Sequence, residues 1–196
     1  MPLPGIHNLY NAAMAYVTSH HLGVGRDEIV KAIDCFPGVA GRFEIIHLKN
    51  GVTAVIDYAH TPEAIFYCLE AVKSCDSNRV IHVFGFRGNR DVSKRDEMVR
   101  VSARLCDKYI LTFDDLNLVT PRQMEQELVT IQNKSGKEHG LVIPDRTLAI
   151  KYAVTSGQKG DWVVITGKGH ESYQQTYQIP SGSDKETLRI INQLLT

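Results

Sequence analysis

The sequence predicts an α/β fold: a mostly parallel sheet with one antiparallel strand supplied by a hairpin, and helices on both faces. Three observations carry that expectation. Short runs rich in Val, Ile, Phe and Thr alternate with stretches whose apolar residues recur at helical spacing. Helix-start signals fall between them, with Thr61-Pro62, Thr120-Pro121 and Asp145 each placing a capping side chain ahead of an apolar stripe. An Asn50-Gly51 pair separates two neighbouring apolar runs and marks a hairpin, here expected as a type I′ turn with positive φ at both central residues.

The elements follow in order. Residues 5–34 read as helical: Leu9, Ala12, Ala13, Tyr16 and Val17 form one stripe, and Ile29, Val30 and Ile33 share a side of a second short helix before Pro37-Gly38 ends the pattern. Phe43 to Leu48 and Val52 to Ile56 are the hairpin strands. The helix opening at Thr61 buries Ile65, Leu69 and Val72, and Val80 to Phe84 is a strand. Lys94 to Cys106 is a helix with Met98, Val101 and Leu105 inward; Tyr109 to Phe113 is a strand; the helix after Thr120 turns Met124, Leu128 and Ile131 inward. Leu141 to Ile143 is a short strand, Asp145 caps a helix carrying Leu148, Ala149 and Tyr152, and Trp162 to Thr166 is a strand. Asp184 is expected to cap a last helix with Leu188, Ile191 and Leu195. Strand–helix alternation of this kind builds a Rossmann-like parallel sheet. Residues 1–40 form a helical lead-in to a main unit of 41–196, and Ile179 to Ser183, polar with Pro and Gly, is the expected mobile loop.

Composition narrows the function classes. Lys and Arg number 22 and so do Asp and Glu, so the formal net charge is zero and no basic excess points to nucleic acid. Any phosphate the chain handles must therefore meet a few placed cations. No apolar stretch is long enough to span a bilayer, and residues 1–8 lack the basic-then-apolar pattern of a signal peptide. Cys35, Cys68, Cys75 and Cys106 form no C-x-x-C pair and fit neither a zinc site nor a disulfide scaffold. The expectation is a cytoplasmic protein with reduced thiols and no metal, membrane or nucleic-acid partner.

Function is pointed to by where polar residues fall. Four strands run directly into polar, glycine-containing clusters: Asp57-Tyr58-Ala59-His60, Gly85 to Asp91, Asp114-Asp115-Leu116-Asn117 and Gly167-Lys168-Gly169-His170-Glu171. If the strands are parallel, all four share the carboxyl edge of the sheet, where open α/β sheets bind ligands. Singly, each has a structural explanation, with Asp57 and Asp114 capping turns and His60 as a satisfied histidine. Neither glycine cluster has the Walker spacing G-x-x-x-x-G-K-[ST], and no G-x-G-x-x-G follows the first strand, which argues against a dinucleotide-dependent oxidoreductase.

The strings Gly41-Arg42-Phe43-Glu44, Asp57-Tyr58-Ala59-His60-Thr61-Pro62-Glu63, Gly85 to Arg95, and Gly167-Lys168-Gly169-His170-Glu171 together resemble the C-terminal domain of the Mur ligases, most like the UDP-N-acetylmuramoyl-tripeptide synthetases among them. The stretch Gly5 to Ala13 resembles the end of the preceding ATP-binding domain. The resemblance implies a reaction in which ATP phosphorylates the carboxylate of a UDP-N-acetylmuramoyl peptide and the amine of an amino acid displaces the phosphate. It implies that Arg42, Asp57 and His60 face the nucleotide, that Arg90 grips the amino-acid carboxylate, and that Gly167 and Glu171 hold its far end. Lys94 and Arg95 are assigned to the helix start or the rim.

The chain also departs from the family pattern. Members that add diaminopimelate carry D-N-P-R where Asp114-Asp115-Leu116-Asn117 stands, so Asn117 replaces the arginine that grips that amino acid. Asp115 leaves two readings open: an added acid favouring a basic side chain, or a divergent relative with another substrate. The P-loop, the magnesium ligands and the domain that binds the uridine nucleotide are expected outside this chain. ATP and Mg2+ are thus cofactors of a longer enzyme, with no catalytic residue in this fragment, and the chain alone is expected to be inactive. The competing expectation is a stand-alone module that binds an amino acid or nucleotide without chemistry.

Overall fold

The computed structural model describes residues 4–135 and 140–195. Its elements are α1 (Ile6–His21), α2 (Arg26–Asp34), β1 (Glu44–His47), β2 (Thr53–Asp57), α3 (Pro62–Lys73), β3 (Val80–Phe86), α4 (Arg95–Leu105), β4 (Lys108–Phe113), α5 (Pro121–Ser135), β5 (Gly140–Val142), α6 (Arg146–Ser156), β6 (Trp162–Thr166) and α7 (Asp184–Leu194). The strands form one sheet in the order β1-β2-β6-β3-β4-β5, with β1 antiparallel to β2 and every other pair parallel. The expected α/β sheet is therefore present. Because β6 returns into the gap between β2 and β3, the loops after β2, β6, β3 and β4 emerge side by side.

Neighbouring strand residues point to opposite faces, and each face has its own core. Val55, Phe84 and Leu111 pack with Ile65 and Leu69 of α3, Val99 of α4 and Leu128 of α5. Ile56, Val83 and Ile110 pack with Ala149 and Ile150 of α6 and Leu188 of α7. All seven residues of β3 are buried, as befits a central strand covered on both sides. It runs two residues beyond the expected Phe84 because Gly85 and Phe86 still pair with Thr112 and Phe113.

The structure departs from the local expectations at several points. The hairpin turn is not type I′: of its central residues only Gly51 has positive φ, and the Gly51 amide donates to Leu48 O at 3.0 Å while Leu48 N donates to Val52 O at 2.9 Å. That is a three-residue loop closed by a glycine bulge, and the Asn50 side chain is used instead to reach Val154 O at 3.1 Å. The last helix is capped by Ser183, whose hydroxyl accepts from Glu186 N, while Asp184 is already helical and fully buried. Residues 179–183 are pinned: Ile179 N donates to Thr147 Oγ1 at 3.1 Å and Gly182 N to Glu186 Oε2 at 2.7 Å. On α6 the buried face is Ala149, Ile150, Ala153 and Val154, with Leu148 and Tyr152 partly out in solvent. The stripe on α1 also stays outside the core, for no residue of α1 is buried and Leu9, Tyr10, Met14 and Val17 are exposed.

His82 ties the centre of the sheet to its flanks. It is fully buried on β3, stacked at 4.4 Å on Phe84, with Nδ1 at 2.8 Å from Ser102 Oγ of α4 and Nε2 at 2.9 Å from Thr166 Oγ1 of β6. Burial, with help from the Arg146 charge, lowers its pKa from 6.5 to about 3. The folded imidazole thus stays neutral where the unfolded one takes up a proton. Stability is fully present above pH 6.5 and falls as the pH drops from 6.5 toward 3. Across that window the His82 contribution should approach about 1.4 kcal/mol lost per pH unit. Urea denaturation over a pH series should show His82→Gln losing this part of the slope.

Candidate functional site

The four polar clusters meet at the carboxyl edge of the sheet, and one carboxylate joins three of them. Glu171, after β6, accepts from the Tyr58 hydroxyl after β2 at 2.9 Å and from the Arg87 guanidinium after β3. Arg87 Nε also faces Asp114 Oδ1 after β4 at 3.7 Å. Below this surface pair lies a buried one. The Lys168 ammonium, 1% exposed, donates to Asp115 Oδ1 at 2.6 Å and stands 3.5 Å from Asp114 Oδ1. Placing opposite charges this close offsets the cost of taking each of them out of water.

Glycine permits two close approaches on which this rim depends. A Cβ on Gly41, whose φ is +68°, would overlap the His170 amide nitrogen, so the G-R-F-E string lies directly against the G-K-G-H-E string. A Cβ on Gly88 would overlap the Leu116 carbonyl oxygen, which locks the loop after β3 onto the loop after β4. The same two loops are laced by Gly88 N to Asp115 O at 2.9 Å and by Asn117 Nδ2 to Gly88 O at 3.1 Å. Asn89 and Asn117 both hold positive φ there, conformations that asparagine tolerates better than most side chains.

The residues expected at a nucleotide come together in one cleft. Arg42, Asp57 and His60 line a cavity of about 880 Å3 between α1–α2 and the β2–α3 edge, along with His7 and Asn11. Arg42 lies 4.5 Å over the Tyr58 ring with its guanidinium exposed. Asp57 is held by the amides of Phe43 and Ala59, each at 2.7 Å. Burial pushes its carboxyl pKa up, against the pull of those amides and of Arg42. His60 is exposed, with Nδ1 2.8 Å from Tyr58 O and its ring edge-on to Tyr58. His7 Nδ1 is buried at this cleft without a hydrogen-bond partner.

The residues expected at the amino acid divide. Glu171 and Gly167 sit at the rim, and Arg90 is exposed in the loop after β3, making no hydrogen bond or ion pair among the described residues. Asn117 is turned to the Gly88 carbonyl. Asp115, 4% exposed, is directed inward onto Lys168 rather than toward solvent. Lys94 is the residue ahead of α4, while Arg95 is 5% exposed and props the loop from beneath, donating to Arg87 O at 2.9 Å and pairing with Glu127. Tyr58, Arg87 and Lys168 had no role in the sequence reading and Asp114 only that of a turn cap, although each lies inside a string that it quoted. Their position in those strings was a signal; their partners, 27 to 113 residues away, were not. Among the described residues no group of three or more His, Cys, Asp or Glu is arranged to hold a metal ion.

Comparison with known proteins gives the family and the fold. The family described as "Mur ligase, glutamate ligase domain" matches residues 41–169. A UDP-N-acetylmuramoyl-L-alanyl-D-glutamate–2,6-diaminopimelate ligase of Alkaliphilus metalliredigens is 42% identical over 175 residues, covering 88% of this chain and 35% of the relative. The enzyme of the same name from Chlorobium phaeobacteroides is 40% identical over 194 residues, covering 95% of this chain and 37% of the relative. A solved structure of a ligase with that name aligns with a TM-score of 0.70 at 32% identity, over all of this chain and 40% of its own. A UDP-N-acetylmuramate-alanine ligase from Thermotoga maritima aligns with a TM-score of 0.69 at 21% identity, over 98% of this chain and 38% of its own, a likeness of fold. The chain thus spans little more than a third of the length of such relatives.

Beneath the rim, Arg146 is fully buried and pairs with Asp184, with Nε to Oδ1 at 2.7 Å and Nη2 to Oδ2 at 2.8 Å. Nη2 also donates to Thr166 O at 3.0 Å, which anchors the end of β6 where the G-K-G-H-E loop begins. Burial works against the Arg146 charge, and the Asp184 carboxylate overrides it and holds the guanidinium ionised. Asp184→Ala should therefore strand a buried cation and cost about 3–5 kcal/mol in urea denaturation. The double substitution Arg146→Met with Asp184→Leu should recover most of that loss.

Proposed function

The chain belongs to the Mur ligases, and on that footing we propose that it is the amino-acid-binding and lid domain of an ATP-dependent, amide-forming ligase acting on a UDP-N-acetylmuramoyl peptide in peptidoglycan assembly. The observation that carries this reading is the rim itself: four loops distant in the chain are held on one edge, with two exposed guanidiniums, Arg42 and Arg90, that have no carboxylate within ion-pair distance among the described residues. Fixed cations of this kind suit phosphate and carboxylate oxygens.

In this reading Arg42, Asp57 and His60 serve the nucleotide from the 880 Å3 cleft. Arg90 takes the α-carboxylate of the amino acid, and Gly167 and Glu171 hold its far end. Asp115 and Asn117 shape the rim through Lys168 and Gly88 rather than touching ligand. ATP, bound with magnesium by residues outside this chain, phosphorylates the peptide carboxylate and leaves as ADP. The amine of the amino acid then attacks the acyl carbon, the amide forms as phosphate departs, and the amine gives up its proton. What this domain contributes is position and exclusion of water from the acyl phosphate, as closing lids do.

Two measurements test the proposal. In the complete ligase, Arg90→Ala should lower kcat/KM for the amino acid by about 2–4 kcal/mol of transition-state binding, roughly thirtyfold to a thousandfold; an unchanged value removes Arg90 from the site. Phosphate release by the 196-residue chain alone, with ATP and magnesium, should stay at the buffer rate, and sustained turnover would contradict the assignment.

A further inference from the structure

We infer that Tyr58 is a positioning residue of this site: its hydroxyl orients Glu171 for the amino acid, while its ring stands on the nucleotide side. The inference rests on the proposed function and deepens it. Glu171 is the acid assigned to the far end of the amino acid, and a carboxylate at a loop surface rotates unless its oxygens are held. Here they are held separately. Oε1 accepts from the Tyr58 hydroxyl at 2.9 Å, and Oε2 accepts from Arg87. Two donors at two oxygens fix the plane of the carboxylate, where Arg87 alone would let it pivot. An ionised carboxylate has about four acceptor positions, so these bonds leave lone pairs for a donor on the ligand. The Glu171 side chain is 31% exposed and stays within a ligand's reach.

Tyr58 is itself held firmly enough for this task. It is the residue directly after β2 and is half-buried. Gly169, with φ of +55°, brings its main chain against the tyrosine, and a Cβ there would lie 3.0 Å from Tyr58 Cβ and 3.2 Å from Cδ2. The turn that carries Glu171 is closed by Glu171 N donating to Lys168 O at 3.0 Å. That turn meets Tyr58 twice, at Gly169 and at the carboxylate. The ring has other neighbours. The Arg42 guanidinium lies 4.5 Å from its centre, and the His60 ring stands edge-on at 4.9 Å. Both residues line the cleft assigned to the nucleotide. One side chain therefore makes two separable sets of contacts, the ring with Arg42 and His60 and the hydroxyl with Glu171. Phenylalanine keeps the first and lacks the second, so the two roles can be tested apart.

The test is steady-state kinetics on the complete ligase with ATP, using whichever of diaminopimelate and the common amino acids it couples best. Tyr58→Phe should raise KM for that amino acid about fivefold to twentyfold, as the loss of one hydrogen bond to a charged group implies, and leave KM for ATP within about twofold of the parent. Tyr58→Leu, which removes the ring as well, should raise both constants. In a Glu171→Ala background, where KM for the amino acid is already high, Tyr58→Phe should add nothing, because the hydroxyl acts through Glu171. Thermal melting of each variant checks its folding. Should Tyr58→Phe melt well below the parent, Glu171→Ala decides alone, and an unchanged amino-acid KM there overturns the inference. It is overturned also if Tyr58→Phe leaves the amino-acid KM unchanged, raises both constants equally, or has its full effect without Glu171. In each of those cases amide formation itself still upholds the proposed function. If no amino acid is coupled to ATP consumption, the proposed function falls and this inference with it.

Discussion

A lysine ammonium held out of water organises the functional edge of this molecule. Lys168 is the second residue after β6, and at 1% exposure it must have acids beside it. Asp114 and Asp115 supply them from the end of β4, and Asp114 in turn faces Arg87 from the end of β3. Three strand ends are thereby bound by one alternating row of charges, and Tyr58 links the fourth through Glu171. Arg146 and Asp184 repeat the device one layer deeper, beneath the end of β6. Glu171 is thus placed by Arg87, and Arg87 by an acid that is itself buried beside Lys168.

The architecture was legible because the helices carried a helical period and the strands were short β-branched and aromatic runs bounded by turn residues. Pairs such as Val83 with Phe84 and Ile110 with Leu111 feed the two cores in alternation, and buried runs of this kind mark a parallel sheet in the sequence itself. Local chemistry near polar residues was harder to read. Asn50-Gly51 has the composition of a type I′ turn, but the Asn50 side chain is drawn to Val154 O and the loop relaxes into a bulge. Asp184 has the composition of a cap, but Arg146 draws it inward and leaves the capping to Ser183. In both cases a partner more than thirty residues away outweighed the local preference.

The site divides along the same line. Which loops would converge was readable, since strand order and direction follow from the alternation. Which side chains would face outward was not. Asp115 looked like an acid offered to a ligand until Lys168 was placed beside it, and Arg87 looked like one charge among many until its contacts to Glu171 and Asp114 were seen. Arg42, Asp57 and His60 come together because their strings flank a single feature, the Tyr58 ring, around which Arg42 and His60 both gather. Tyr58 thus stands between the cleft and the rim, its ring turned to one and its hydroxyl to the other.

Backbone at residue 41 touches backbone at 169–170 so closely that not even one methyl group fits between them. This contact is a joint without play. Segments that meet through long side chains can slide and repack, but two main chains in contact cannot. The loop bearing Glu171 therefore takes its starting position from the main chain at residue 41, with no side chain between the two to repack.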